Sequence, residues 1–308
     1  MGTIAITCGD PSGVGPEIIE EWMGRRRKDC VDVCLIGPSP WLEKLDTGNS
    51  CSTLAVGPDD FRMIPGKPLE MGAKLALEAL EKAAEGCRAG QFSAVVTGPV
   101  SKERMRAVGF SYPGQTEFFA DRWGGQPTMA FVGTRMRLVL MTWHVPLREI
   151  FDHLTPENIE RAVIHAVEMA HALGVQKPRI GICGLNPHAG EEGLLGDEEK
   201  DIINPVLEEL RQKIPGLSFA QPADTLFHRH LNGEFDVVVA IYHDQGLVAV
   251  KTLEFETTVN LTLGLPWLRT SPDHGTAFPI AGKGLASSSS FECAVSLANS
   301  FQRLTPTT

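Results

Sequence analysis

The sequence predicts an α/β protein built on a largely parallel sheet. Short runs rich in Val, Ile and Leu recur along the chain, and they are apolar throughout rather than alternating, as strands are when helices cover both faces of a sheet. Segments with helical periodicity separate these runs. The length of 308 residues, with 43% hydrophobic and 21% charged side chains, suits one or two such domains.

Taken in order, the first run is 4–7, and it leads into "CGDPSGVGPEII". Gly9, Gly13 and Gly15 follow neither the G-x-G-x-x-G spacing of a dinucleotide fingerprint nor a phosphate loop ending in Lys and Ser or Thr. The stretch therefore reads as a tight strand-to-helix turn, with Pro16 and Glu17 opening a helix whose N-terminus carries positive dipole. Further strand-like runs occur at 31–36, 94–97, 138–143, 180–185 and 237–242. The clearest helix is 156–173. Thr155 precedes it as cap, Pro156 takes its first position, Ile159, Ala162, Val163, Ala166, Ala170 and Leu173 form one apolar face, and Gly174 follows.

Composition narrows the function. A formal charge of -10 opposes nucleic acid or an anionic membrane as partner, so an anionic small substrate would need a local cluster of Lys and Arg. Seven cysteines without a C-x-x-C pair read as reduced structural thiols, Cys8 and Cys183 within strand-like runs. No basic leader with an apolar core opens the chain, and no apolar run approaches the roughly 20 residues of a membrane helix. The expectation is a soluble, cytoplasmic protein.

Three strand-like runs end alike. "RLVLMTWH" delivers His144, "IGICGLNPH" delivers His188 and "DVVVAIYH" delivers His243. The carboxyl ends of parallel strands line one crevice, so the three imidazoles are expected to face one another there. A lone histidine in such a place is more often a backbone partner than a ligand, but three at equivalent ends suit Zn²⁺ or a related divalent ion with one position open for substrate. His153, His165 and His171 read as surface or packing residues, and His228 and His230 have no third partner. Lys251, Asn260 and Arg269 follow His243 closely and together suit a phosphate or carboxylate, although each alone would be an ordinary surface residue. The glycine-rich 271–287 could let backbone approach a ligand.

These segments carry a resemblance. "VTGPVSK", "YPGQTE", "GLNPHAGEEGLLGDEE", "PADTLF", "YHDQGLVAVK" and "VNLTLGLPWLRTSPDHGTA" resemble the 4-hydroxythreonine-4-phosphate dehydrogenase (PdxA-type) family across nearly the whole chain. "GDPSGVGPE" and "DHGTAFPIAGKG" look like variants of two segments of isopropylmalate and isocitrate dehydrogenases.

The resemblance implies an isopropylmalate-dehydrogenase-like fold of two α/β/α domains with the active-site cleft between them: 1–125, then 126–269 with the metal and substrate residues, then 270–308 returning to the first domain with the cofactor loop. It implies His144, His188 and His243 as ligands of one divalent ion (Zn, Mg or Co) per active site. Thr116, Lys251, Asn260 and Arg269 match the substrate contacts, with Gln115 standing where the family usually has His. NAD would lie on the late loop, at His274, Gly275, Gly282 and Gly284, and the active site would form at a homodimer interface.

The implied reaction is NAD-dependent oxidation and decarboxylation of 4-phosphohydroxy-L-threonine to 3-amino-2-oxopropyl phosphate in pyridoxal 5'-phosphate biosynthesis. Asp224 is a candidate proton acceptor or orienting group, and equally a helix cap. Gln115 keeps phosphorylated threonate or erythronate open as the substrate. Within the fold group, a metal-free phosphate acyltransferase is a rival; outside catalysis, the rival is a metabolite sensor without turnover.

Overall fold

The structure is a computed structural model that describes residues 2–25, 31–47 and 50–301. Its strands are β1 (Thr3–Thr7), β2 (Val33–Gly37), β3 (Cys51–Ala55), β4 (Phe92–Thr97), β5 (Thr128–Val132), β6 (Arg137–Leu140), β7 (Ile180–Cys183), β8 (Leu217–Gln221), β9 (Val237–Ala240), β10 (Val259–Leu263) and β11 (Leu268–Pro272). Its helices are α1 (Gly15–Arg25), α2 (Ser39–Leu42), α3 (Glu70–Arg88), α4 (Lys102–Ala107), α5 (Gln115–Trp123), α6 (Pro156–Ala172), α7 (Asn204–Arg211), α8 (Ala223–Leu231), α9 (His243–Glu254) and α10 (Ser289–Phe301). The chain divides into two compact units, one of Met1–Pro127 with Val259–Thr308 and one of Thr128–Thr258.

In the first unit the strand order is β3-β2-β1-β4-β11-β10, parallel except that β10 and β11 form an antiparallel pair. The alanine face of α3 (Ala73, Ala76, Ala79, Ala83) is buried in the core with Ile36, Val95 and Phe118. Small side chains there let the helix lie close to the sheet. The turn after β1 needs its glycines. A Cβ on Gly15 would lie 2.1 Å from the Cys8 carbonyl oxygen, and one on Gly9, at φ +73, 2.4 Å from that of Pro99. Loop 10–14 is then tied by Val14 N–H to the carbonyl of Thr276.

In the second unit the order is β5-β6-β9-β7-β8, with β5 antiparallel to β6 and the remaining neighbours parallel. Helix α6 begins as its sequence dictates: Thr155 Oγ1 accepts from Asn158 N–H at 3.4 Å and Pro156 follows. Its buried face includes Ile159, Val163, Ala166 and Ala170, and Gly174 beyond its end takes φ +87.

The unit boundaries differ from those drawn on the sequence at 125 and 269. Asn260 and Arg269 fall in the first unit, because β10 and β11 make a hairpin whose second strand pairs with β4 at Arg269↔Val95.

Two histidines read from sequence as minor are interior groups. His165 is buried with Nδ1 2.8 Å from Thr128 Oγ1, and burial, helped by the charge of Arg161, pushes its pKa down to about 4. His230 is held as one neutral tautomer: Nδ1 donates to the Phe235 carbonyl (2.9 Å) and Nε2 accepts from Arg137 N–H (3.2 Å), and burial lowers its pKa too. In each case the unfolded chain binds the proton more readily. Their stabilisation is therefore complete above the unfolded value near pH 6.5 and declines as pH falls below it, for His165 towards pH 4 with about 3 kcal/mol at stake. Thermal melts from pH 7 to 4 should fall less steeply in His165→Gln than in the parent.

Candidate active site

The carboxyl ends of three adjacent parallel strands, β6, β9 and β7, lead to His144, His243 and His188 respectively. His144 stands four residues beyond β6 in a left-handed conformation (φ 51), which turns its exposed side chain off the strand line. His243 is the first residue of α9; Tyr242 before it is still extended. Its Nδ1 lies 2.7 Å from Asp244 Oδ1. His188 opens a run of left-handed residues from His188 to Glu192, and its Nδ1 lies 3.2 Å from Glu191 Oε2.

The expected convergence is met in part. The rings of His144 and His243 approach to 6.1 Å between centroids. Among the described residues, however, no group of three or more His, Cys, Asp or Glu side chains is gathered closely enough to hold an ion. The donor set still suits one, because His243 and His188 each keep Nδ1 on a carboxylate and leave Nε2 for a ligand, the usual outer-shell arrangement of metal-bound imidazole.

Gln245 braces this edge. Its Oε1 accepts from Ile241 N–H at 2.7 Å and its Nε2 donates to the Gly184 carbonyl at 2.7 Å, so one side chain joins the β9 exit to the β7 exit. Asp224 lies in the first turn of α8, just beyond β8; no side-chain bond caps that helix, so its exposed carboxylate is not used as a cap. Lys251 lies on α9 with Nζ 5.7 Å from the centre of the Phe255 ring.

In the first unit a cationic site is built around Arg269. Only 5% exposed, its guanidinium donates to Thr97 Oγ1 (2.8 and 3.1 Å), Gln115 Oε1 (3.0 Å) and Asn260 Oδ1 (3.3 Å), all neutral acceptors. Burial pushes its pKa down to about 10, against the pull of Glu117 and Asp273. It therefore remains a cation at neutral pH. Gln115 begins α5, where Gly114 offers no capping side chain and the first N–H groups have no partner within the helix. A buried guanidinium whose hydrogen-bond acceptors are all neutral, set beside a helix N-terminus, is suited to an anion. Thr116, the residue after Gln115, is buried with its hydroxyl 3.1 Å from that of Thr262.

The glycine-rich loop is fastened to α1, since Gly282 N–H donates to Glu17 Oε2 at 2.6 Å. Gly282 (φ +74) and Gly284 (φ +64) need glycine for their backbone; Gly275 has open space around it. His274 Nδ1 lies 3.0 Å from the Gly275 carbonyl oxygen, and its buried Nε2 has no hydrogen-bond partner among the described residues.

Thr97 and Gln245 escaped the sequence reading. Both stand inside quoted motifs, "VTGPVSK" and "YHDQG"; Gln245 lies two residues from His243, whereas Thr97 meets Arg269 only through the pairing of β4 with β11.

The family described as pyridoxal phosphate biosynthetic protein PdxA matches residues 35–298. A 4-hydroxythreonine-4-phosphate dehydrogenase of Zymomonas mobilis is 38% identical over 97% of this chain and 95% of its own length. A crystal structure of 4-hydroxythreonine-4-phosphate dehydrogenase from Klebsiella pneumoniae has a TM-score of 0.84 at 32% identity, covering 98% of this chain and 100% of that one. Isocitrate dehydrogenase from Methylococcus capsulatus shares the fold more distantly, at TM-score 0.50 and 17% identity, over 98% of this chain and 85% of its own.

Proposed function

The chain belongs to the family of pyridoxal phosphate biosynthetic protein PdxA, and we propose on that premise that it oxidises and decarboxylates 4-phosphohydroxy-L-threonine with NAD, giving 3-amino-2-oxopropyl phosphate. The observation that carries this reading is the buried Arg269, whose guanidinium bonds to the neutral Thr97, Gln115 and Asn260 among the described residues, which suits it to a phosphoryl group. Lys251 would add a second cation. His144, His188 and His243 would hold one divalent ion (Zn, Mg or Co), which when bound polarises the alcohol oxygen as a Lewis acid. The loop bearing His274, Gly275, Gly282 and Gly284 would receive NAD.

In the net reaction the alcohol carbon gives up a hydride and its oxygen a proton; the resulting β-keto acid then loses carbon dioxide and the vacated carbon takes a proton. Asp224 is assigned the alcohol proton, being exposed and free of any capping duty. Arg269 and the start of α5 orient the substrate by its phosphate, away from the reacting carbon.

The protein would act as a cytoplasmic homodimer with each site completed across the interface. In support, large apolar side chains are exposed just after each histidine: Leu147 (67%) and Phe151 after His144, Leu194 (78%) after His188, and Val248 and Phe255 after His243. Exposed apolar groups of this size mark protein contact surfaces. Among the described residues no helix is long and apolar enough to cross a membrane.

Gln115, standing where the family usually has His, leaves room for a second reading, in which phosphorylated threonate or erythronate is the substrate. Its amide oxygen accepts from Arg269 and its Nε2 donates to the Gly98 carbonyl at 3.4 Å, so the side chain is neutral and oriented. A histidine there, once protonated, would face Arg269 as a like charge until a phosphate arrived, and substrate binding would take up a proton. We therefore expect Gln115→His to lower KM towards pH 6 with little effect at pH 8. The deciding measurement is NAD⁺ reduction with the three phosphorylated acids, with and without chelator, in parent and Gln115→His. A parent that prefers an amine-free acid tenfold, about 1.4 kcal/mol, establishes the second reading; binding without turnover of any of the three indicates a sensor.

A further inference from the structure

The His188 segment is the most strained part of the described chain. His188, Ala189, Glu191 and Glu192 all take left-handed conformations (φ 53, 54, 45 and 59) around Gly190. Side-chain-bearing residues persist there only when their surroundings over-determine them. The surroundings here converge on one buried carboxylate. Glu199, 2% exposed, accepts from Asn186 N–H through Oε1 (2.7 Å) and from Asn186 Nδ2 through Oε2 (2.9 Å), and Glu198 Oε2 takes the same Nδ2 at 2.6 Å.

Both ends of the segment close on that group. A Cβ on Gly184, at the strand exit, would lie 3.0 Å from Glu199 Oε1, and one on Gly190, inside the turn, 2.8 Å from Oε2. The carboxylate thus fills the space between the β7 exit and the left-handed turn. Gln245 fastens Gly184 from the other side. Glu199 itself opens a single π-helical turn, Glu199–Ile203, a distortion that recurs at functional sites.

We propose that Glu199 is a positioning residue for His188: with Asn186 it clamps the left-handed turn and so presents the imidazole for metal binding. The inference rests on the assignment of His188 as a metal ligand. Glu199 touches neither substrate nor metal in this role. It acts by fixing the two amide donors of Asn186 that set where the turn begins.

The test uses the full chain as parent, His188→Ala, Glu199→Gln and Asn186→Ala. It measures Co²⁺ affinity by equilibrium dialysis, thermal melting, and amide exchange over residues 186–194. Glutamine keeps the shape of Glu199 but presents an NH₂ where an acceptor is needed. Glu199→Gln should weaken Co²⁺ binding tenfold or more, in the range of outer-shell substitutions, and speed amide exchange in the turn at temperatures well below its melting point. A merely structural role would lower the melting temperature and leave Co²⁺ affinity at 20 °C as in the parent; that result overturns the proposal. Should Glu199→Gln fail to fold, Asn186→Ala carries the same expectation and the same refutation. Parent affinity in His188→Ala is a different failure. It removes the ligand assignment, and the inference with it.

Discussion

Replacing His243 by alanine is expected to strip the protein of the proposed divalent ion and cut kcat at least about a thousandfold, a bound Lewis acid contributing several kcal/mol and each 1.36 kcal/mol being tenfold. The fold should survive. His243 is half-exposed at the first position of α9, its Nδ1 partner Asp244 is exposed, and the helix start is shaped by the extended Tyr242 rather than by the imidazole. The loss should therefore appear in metal content by elemental analysis and in turnover, with a melting temperature close to the parent's in the absence of metal. Asp244→Asn makes a graded comparison, because it leaves the imidazole and removes the charge that fixes its Nδ1 proton; about 10- to 100-fold weaker metal binding is the expectation. A His243→Ala protein that keeps full metal occupancy and activity would refute the ligand set.

What the sequence made legible here follows from the range over which each signal acts. The runs before His144, His188 and His243 are short, continuous and apolar because β6, β7 and β9 lie inside a sheet; that pattern is local, and it located three adjacent strand exits before any strand order was known. The strands β10 and β11 carry Asn260, Thr262, Arg269 and Ser271, and a polar stretch of this kind reads as a ligand-binding run rather than as sheet. Only pairing with β4, some 170 positions earlier, makes it a strand and buries Arg269 against Thr97. Backbone strain was equally hidden. Nothing in "NPHAGEEG" announces consecutive left-handed residues at non-glycine positions, since such a turn depends on Glu199 reaching back to Asn186. The roles of Thr97, Gln245 and Glu199 are of the same kind: each is defined by a hydrogen bond across the fold.

Arg269→Met should separate binding from stability. Between pH 10 and the ordinary arginine value the unfolded chain binds the proton more readily than the native Arg269, so stability rises with pH across that window, and below it the buried charge weighs against folding in full, on the order of 3 kcal/mol. At pH 7.5 methionine removes that charge while keeping an unbranched apolar stem in place of the arginine's. Gln115 and Asn260, both half-buried, can turn to water, and the Thr97 hydroxyl can donate elsewhere. The ligand-free variant should melt at the parent's temperature or above it. Its kcat/KM for a phosphorylated substrate should fall about 10²- to 10⁴-fold, two charge-assisted hydrogen bonds at roughly 1.5–3 kcal/mol each being lost. Discrimination against the dephosphorylated compound should shrink with it. Inorganic phosphate offers an independent reading: by mass action it should raise the melting temperature of the parent and leave that of Arg269→Met unmoved. Arg269→Lys keeps the charge without the planar fork, so it should retain part of the phosphate effect. If Arg269→Met melts well below the parent and still favours the phosphorylated substrate as strongly, Arg269 is a structural cation and the phosphate is held elsewhere.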